Sequence, residues 1–306
     1  MQFDLILTNP PFQDSTKRGK TPHKLWIDFT QHVFSSLLRE GGSLIQVSPS
    51  SFGSPSNVVL QIMAENQTKL LRFGTEHHFP GVNSTFSDYW IQKMPSAGVR
   101  ARIFTGAEMF ETEISPNYLY LPNDLSKISL SIHEKVMFRS RTRLSVKWDY
   151  VTAHNIRRHS ANPTLVTSRD DAHPYPVFHT NRSTWWSSLR QDWADSKKVM
   201  WTRSGYTKPF YDDGSLGGTD MVYYILVDNQ DEGRALAHNM NSKLYRYIYK
   251  TAKWSGFGNE RVFSNLPEIS LTHALTDDQI YEYFEISGEE ADYIERTVEG
   301  NRKENR

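Results

Sequence analysis

The chain has 306 residues, of which 38% are apolar and 13% aromatic, so it is long enough for about two globular domains with separate cores. Its 35 Lys and Arg residues balance 35 Asp and Glu residues, which excludes a uniformly basic nucleic-acid-binding coat but allows local basic patches. Without cysteine, disulfides and thiolate metal sites are excluded. The sequence also shows no leader and no run of about 18 apolar residues, and we expect a cytoplasmic protein.

The first half of the chain alternates strand and helix patterns. Residues 3–8 form an apolar run that predicts a buried parallel strand, cut off by Pro10-Pro11. Apolar residues recur at helical spacing over residues 24–39, and Gly41-Gly42 is expected to end that helix. Residues 43–48 then predict a second strand.

Further elements extend this pattern to about residue 104. A helix is predicted over residues 57–65 and a strand over residues 69–73, followed by strands 87–93 and 99–104 as an antiparallel pair. The alternation predicts an α/β sheet with helices on its faces. In such sheets function collects at the carboxyl ends of the strands, which is where Asn9 lies.

The pattern changes after residue 113. A linker and an amphipathic connecting helix are expected over residues 116–138, with the helix starting near residue 125. Short strands, aromatic residues and turns over residues 139–272 predict a separate α+β domain, interrupted by one helix at residues 234–250. Residues 273–306 form an acidic helical tail.

The tetrapeptide Asn9-Pro10-Pro11-Phe12 is the most specific signal in the sequence. An exocyclic aromatic amine is a poor nucleophile, and an enzyme that methylates it must hold its two N–H groups and aim its lone pair at a methyl donor. Asn9 offers a side-chain oxygen, Pro10 a main-chain carbonyl, Pro11 a stiff turn and Phe12 a stacking face. The plain alternative is a Pro-Pro turn that ends a strand.

With this motif the chain resembles the gamma-class adenine-specific DNA methyltransferases related to type IIG restriction-modification enzymes. The resemblance also runs through Leu25-Trp26, Phe29, residues 37–42 and residues 47–52. It implies a partial Rossmann-like methyltransferase sheet over residues 1–115, followed by a target-recognition domain over residues 139–272. The implied activity transfers a methyl group from S-adenosylmethionine to the amine of a flipped adenine in a specific site of double-stranded DNA.

The resemblance also assigns roles to individual residues. In that family the motif's Asn and first Pro accept the amine hydrogens and its aromatic residue stacks on the base, which implies these roles for Asn9, Pro10 and Phe12. Phe79, in the segment Phe-Pro-Gly-Val, matches the residue that closes the other side of the base. Phe86 is the rival candidate for that role, and plain core packing of Phe79 is the alternative.

In the residues expected to bind the cofactor, the sequence departs from the pattern of the family. Leu25 and Trp26 match positions near the cofactor adenine, although core packing explains them equally well. The family's Gly-rich strand–turn–helix for S-adenosylmethionine precedes the motif, whereas only eight residues precede Asn9 here, and Gly256-Phe257-Gly258 is interpreted as a loop. We therefore expect a subunit that needs a second chain for the cofactor half, a fragment of a longer protein, or a decayed homologue.

Other interpretations stay open at this level. The chain is alternatively a non-catalytic DNA-binding specificity module, or it methylates RNA or a protein glutamine. The basic segments 17–20, 139–143 and 157–159 are solvated loops or phosphate contacts. Histidines 77 and 78 favour a structural role over a metal site, and Asp212-Asp213 a turn. The tryptophans at 185, 186 and 193 are either a stacking platform or core residues.

Overall fold

The computed structural model describes residues 2–13, 24–79, 84–139, 141–149, 163–180, 183–203, 208–254 and 260–300. The chain divides into two compact units, Met1–Glu134 and Lys135–Arg306, and the division falls inside the predicted connecting helix. The finer domain boundaries expected from the sequence stay predictions. None of the helices in the described ranges is both long and apolar enough to cross a membrane.

The first unit is built on one mixed sheet. Its strands are β1 Phe3–Thr8, β2 Leu38–Pro49, β3 Asn66–Phe73, β4 Phe86–Pro95, β5 Arg100–Phe104 and β6 Met109–Glu113; its α-helices are α1 Leu25–His32, α2 Val58–Glu65 and α3 Lys127–His133. Within the described residues the strand order is β1-β2-β4-β3-β5-β6. β1 is parallel to β2 and β3 is parallel to β5, while β4 lies antiparallel between β2 and β3.

The prediction that residues 87–93 and 99–104 pair with each other is wrong. β3 lies between β4 and β5, so these two strands follow each other in the sequence without pairing in the sheet. Tyr89 and Ile91 of β4 are fully buried, as are Ala101 and Ile103 of β5. Both strands therefore carry the alternation of a strand with one covered face, and that pattern contains no information about the pairing partner.

The prediction of a helix up to residue 39 is also wrong. α1 ends at His32 and continues as the π-helical turn Val33–Leu37, and β2 begins at Leu38. Gly41 and Gly42 lie inside β2, beside a register irregularity between β1 and β2. Gly41 has φ of +79°, and a Cβ on Gly42 would lie 2.9 Å from the carbonyl oxygen of Phe3. Both glycines thus allow the irregular backbone of β2 at this point, and they do not end a helix.

β1 has the predicted bounds but is not a buried strand. In the described part of the chain it pairs with β2 only, so its other edge is unpaired. Its side chains Leu5 and Leu7 lie on one face and are 57% and 76% exposed. The apolar run does form a strand, but within the described residues its leucine side chains stay exposed.

The second unit contains two sheets and several helices. Its strands are β7 Lys147–Trp148, β8 Leu165–Val166, β9 Tyr175–Phe178, β10 Thr184–Ser187, β11 Lys198–Thr202, β12 Phe210–Asp212, β13 Gly217–Gly218 and β14 Val222–Leu226. Its helices are α4 Gln230–Asn239, α5 Lys243–Thr251, α6 Glu260–Phe263, α7 Asp277–Tyr283 and α8 Gly288–Glu299. The described strands form the sheets β13-β9-β10-β8 and β12-β11-β14-β7.

The single helix predicted over residues 234–250 is two helices. α4 ends at Asn239, and α5 begins after Ser242, whose hydroxyl accepts a hydrogen bond from the Tyr245 N–H. A serine that caps a helix start in this way favours a break over continuous helix. The hydrophobic periodicity continues across the break, which is why the sequence predicts one helix.

The aromatic residues of the second unit mainly form its core. Trp185 is buried against Leu165 and Val177, and Trp193 stacks on Tyr224 with ring centroids 3.9 Å apart. Trp186 is half-buried beneath the guanidinium of Arg169. Of the two interpretations of these tryptophans, this packing agrees with the core interpretation for Trp185 and Trp193.

A buried histidine in the first unit makes its stability depend on pH. His133 is fully buried, its Nδ1 lies 2.8 Å from the hydroxyl of Tyr120, and burial lowers its pKa from 6.5 to about 3. As pH falls from 6.5 towards 3, the unfolded histidine binds a proton that the folded one does not. We expect this residue to remove up to about 1.4 kcal/mol of stability per pH unit in that window.

Urea unfolding of wild type and His133→Gln at several pH values between 4 and 8 measures this effect, with exposed His77→Gln as the control. The stability difference between wild type and His133→Gln should change below pH 6.5 and be constant above it. Parallel curves for the two proteins over the whole range would contradict the assignment.

Candidate active site

The Asn9-Pro10-Pro11-Phe12 motif lies directly after β1, at the carboxyl end shared by β1 and β2. The two strands are parallel, with Thr8 opposite Gln46, and β2 leads into the 3-10 helix Ser50–Gly53. Asn9 is exposed and Pro10 is buried. In the part of the chain that the structure describes, neither the Asn9 side chain nor the Pro10 carbonyl has a hydrogen-bond partner. Neither predicted acceptor is therefore engaged by another group of the described residues.

Three phenylalanines meet beside the motif. The Phe12 ring centroid lies 5.0 Å from that of Phe86 and 6.4 Å from that of Phe79, and Phe79 lies 4.6 Å from Phe86. Phe86 is 1% exposed, whereas Phe12 and Phe79 are half-buried. We call these three residues the aromatic cluster: two accessible rings above a buried one. The sequence offered Phe79 and Phe86 as rivals, and the structure brings both into contact with Phe12.

In this conformation the rings of the aromatic cluster do not form a slot that could hold a base. A base between two rings needs about 7–8 Å between the ring planes, twice a carbon–carbon contact, and the planes must be nearly parallel. The Phe12–Phe79 separation of 6.4 Å comes close, but the planes cross at 69°. Phe79 would have to turn for both rings to face a base. Phe86 is buried and supports the cluster from below.

Main-chain contacts hold the aromatic cluster to the sheet. The Thr75 N–H donates to the Phe86 carbonyl at 3.2 Å, and the Phe79 N–H donates to the Glu76 carbonyl at 2.8 Å. The Glu76 carboxylate accepts from the Phe86 N–H at 3.4 Å. The turn that carries Phe79 is thus tied to the start of β4, and Glu76 has a structural partner.

Adjacent histidines 77 and 78 lie on this turn. Their ring centroids are 3.8 Å apart, and Nδ1 of His77 lies 3.1 Å from the Gly74 carbonyl oxygen. A search of the described residues finds no group of three side chains able to hold a metal ion. The structural role predicted for these histidines stays a prediction.

Polar side chains also lie on β2 and β4, the strands next to the motif and the aromatic cluster. Gln46 donates to Thr30 at 2.8 Å and to the hydroxyl of Tyr89 at 2.7 Å, and burial raises the pKa of Tyr89 to about 12. Asp88 is half-buried, and loss of solvent raises its pKa against the opposing charges of Arg72, 3.7 Å away, and His78. Sequence analysis missed Asp88, because a polar residue on an alternating strand looks like a solvent-facing one.

The two residues predicted for the cofactor side lie on α1. Trp26 is 1% exposed and packs in the core, while Leu25 is half-buried. The burial of Trp26 agrees with the core-packing alternative, and the cofactor assignment of both residues stays a prediction. Two apolar side chains also cannot satisfy the polar groups of S-adenosylmethionine.

Comparison with known proteins finds restriction-modification enzymes among solved structures. No family model and no curated protein matches the chain. The chain is similar to the type IIL restriction-modification enzyme MmeI in complex with DNA (9% identity, TM-score 0.45, 88% of this chain and 45% of that one). It is also similar to the type IIG restriction endonuclease BpuSI (10%, 0.31, 87% and 44%) and to the M protein of the type I restriction enzyme EcoKI (15%, 0.28, 39% and 29%). The chain spans less than half the length of each.

Proposed function

We propose that this chain carries the base-binding side of an adenine-specific DNA methyltransferase, with its second unit as the target-recognition part. The observation that carries the proposal is a pair of unengaged acceptors, the Asn9 side chain and the Pro10 carbonyl, beside the half-buried ring of Phe12. An amine with two hydrogens and a flat ring is complementary to this arrangement. Adenine provides both in one molecule, and a flipped nucleotide can reach the end of a strand.

The chain's residues act on the amine by position rather than by acid–base chemistry. Asn9 and Pro10 each accept one N–H, which draws the nitrogen towards a tetrahedral shape and turns its lone pair outwards. Phe12 and a rotated Phe79 hold the ring by stacking. S-adenosylmethionine, when bound, would supply an electrophilic methyl group to the amine that Asn9 and Pro10 hold, and the amine would release one proton. No strong base is required, because the methylated amine is acidic enough to lose its proton to water.

The position of β1 supports the proposal of a separate cofactor-binding module. The methyl donor has to come within about 3–3.5 Å of the amine held at Asn9. β2 already occupies one side of β1, and the unpaired edge of β1 is the open side in the described part of the chain. Leu5 and Leu7 give this edge an exposed apolar face. We propose that an α/β module, on the same polypeptide or another, adds a strand here and brings S-adenosylmethionine.

The double variant Leu5→Ser/Leu7→Ser tests this docking edge. Burying a leucine contributes about 1.5–3 kcal/mol, so we expect the variant to bind the module at least tenfold more weakly. Met109→Ser is the matched control, because Met109 is 56% exposed on β6 at the other end of the sheet. The measurement is the amount of the module, expressed as a separate chain, that co-purifies with the protein. Equal recovery with all three proteins would rule out β1 as the docking edge.

Adenine methylation in cells tests the function itself. The chain is expressed with the reading frames that adjoin its gene in a host without adenine methylation, and the host DNA is read by single-molecule sequencing. We expect N6-methyladenine at one position of a short motif. Sequence-specific DNA binding without methylation in any combination would instead favour a non-catalytic specificity module.

A further inference from the structure

The three arginines of residues 139–143 have different surroundings in the second unit. Arg139 forms an ion pair with Glu285, with Nη1 2.7 Å from Oε2. Arg143 donates hydrogen bonds to three main-chain carbonyl oxygens at 2.8, 2.9 and 2.9 Å. Both side chains thus already have partners within the chain. The sequence presents these residues as one basic patch, but Arg141 differs from its two neighbours.

Arg141 is held by rings and has no hydrogen-bond acceptor. Its guanidinium lies over two aromatic rings, 5.4 Å from the centroid of Tyr283 and 5.0 Å from that of Phe284. Its Nε is buried and has no partner, and within the described residues no oxygen accepts from its guanidinium. The rings thus orient the guanidinium, its terminal nitrogens are unpaired among the described residues, and these nitrogens can donate to a ligand that brings the acceptor.

An open cavity of about 430 Å³ lies beside this guanidinium. Besides Arg141 and Tyr283 it is lined by Thr142, Glu268 and Ser270. The two hydroxyls can donate to an oxyanion, as serine and threonine do at nucleic-acid phosphates. The Glu268 carboxylate lines the same cavity, and no ion pair joins it to Arg141 among the described residues. A ligand must therefore supply acceptors to Arg141 while tolerating one negative charge nearby.

We propose that this cavity binds one phosphodiester group of the DNA backbone, with Arg141 donating from its two terminal nitrogens. The inference rests on the proposed function, in which the second unit contacts duplex DNA. A diester carries a single negative charge, whereas a terminal phosphate carries about −1.5 to −2 at pH 7 and would be repelled more strongly by Glu268. Arg141 thus anchors the DNA register without reading its sequence.

The salt dependence of DNA binding tests the site. Each phosphate contact contributes about −0.9 to the slope of log K against log salt concentration. We expect Arg141→Gln to make that slope shallower by about 0.9, and to weaken binding to cognate and unrelated duplexes by the same factor, roughly tenfold. The measurement is fluorescence anisotropy of labelled duplexes between 50 and 200 mM salt.

Three further variants sharpen the result. Arg139→Gln is the matched control and should leave the slope unchanged, because Arg139 is already paired with Glu285. Glu268→Gln should tighten binding a few-fold at constant slope. Arg141→Lys keeps the charge but cannot donate in a bidentate fashion, so it should keep the slope and lose affinity. It also guards against misfolding of Arg141→Gln, which loses its packing on Tyr283 and Phe284.

Each outcome bears on the proposal. An unchanged slope in Arg141→Gln overturns it, and a loss confined to duplexes with one particular base pair overturns it in favour of base reading. If the wild-type chain binds no duplex at any salt concentration, the proposed function fails together with this inference. If wild type and Arg141→Gln bind equally well, only this inference fails.

Discussion

Asn9→Ala is expected to reduce adenine methylation by at least about 10²-fold, the loss seen when one oriented hydrogen-bonding group is removed from a transition-state site. Asn9 is exposed and makes no hydrogen bond in the described part of the protein, so the substitution removes no structural contact. DNA binding and thermal stability should stay at the wild-type level. The effect should therefore appear in turnover and not in affinity.

The design of this experiment separates chemistry from folding. Asn9→Asp retains an acceptor oxygen and should keep part of the activity. Asn66→Ala is the matched control, because Asn66 lies on the same sheet and its side chain only donates to the Ile62 carbonyl. Activity is measured as tritium transfer from S-adenosylmethionine to duplex DNA by the chain with its cofactor module. Unchanged turnover in Asn9→Ala, or loss of DNA binding with normal turnover per complex, would contradict the role of Asn9.

Local features of the first unit could be predicted from the sequence because they depend on neighbouring residues. The bounds of β1 follow from an apolar run stopped by two prolines, and α2 begins at Val58, directly after Asn57, whose side chain caps the helix by accepting the Val59 N–H. The same two prolines predict that Asn9 lies at the end of the strand. The insertion of β4 between β2 and β3 could not be predicted, since strand pairing is a long-range choice among strands with similar alternation.

The aromatic cluster shows where sequence information ends. A sequence can identify phenylalanines near a motif, but it cannot say which of them share space. Phe79 and Phe86 are seven positions apart and approach within 4.6 Å because the turn after β3 is tied to the start of β4. The two then differ in exposure: in the proposed function the half-buried Phe79 would turn to face a base, whereas Phe86 is buried and would stay in the core.

Buried charge in the second unit was equally invisible to sequence analysis. The sequence predicts a turn at Asp212, and its carboxylate does accept from the Gly214 N–H and the Ser215 hydroxyl. It also accepts from Lys198 Nζ at 2.7 Å, and Lys198 is fully buried. A lysine in a strand pattern normally predicts a solvent-facing position, so only the tertiary fold reveals this pair.

We expect Asp212→Asn to destabilise the second unit by about 3–5 kcal/mol, because it leaves the Lys198 charge buried without its counter-ion. Lys198 Nζ would retain only the carbonyl oxygens of Ala194 and Ser196, at 2.6 and 2.8 Å. Burial already lowers the pKa of Lys198, and the Asp212 carboxylate opposes that shift. Removing the carboxylate lowers this pKa further, so the variant should recover part of its stability as pH rises and Lys198 loses its proton.

A double-mutant cycle measured by urea unfolding distinguishes pairing from simple packing. The double variant Lys198→Met/Asp212→Asn has no buried charge, and we expect it to be more stable than Asp212→Asn alone. Glu295→Gln, which breaks the partly exposed ion pair with Lys243, is the matched control and should cost less than about 1 kcal/mol. If Asp212→Asn lowers the free energy of unfolding by no more than this control does, the buried pair contributes no more to stability than an exposed one. A double variant less stable than Asp212→Asn would mean that Lys198 contributes through its hydrogen bonds to the Ala194 and Ser196 carbonyls, whether or not its charge is paired.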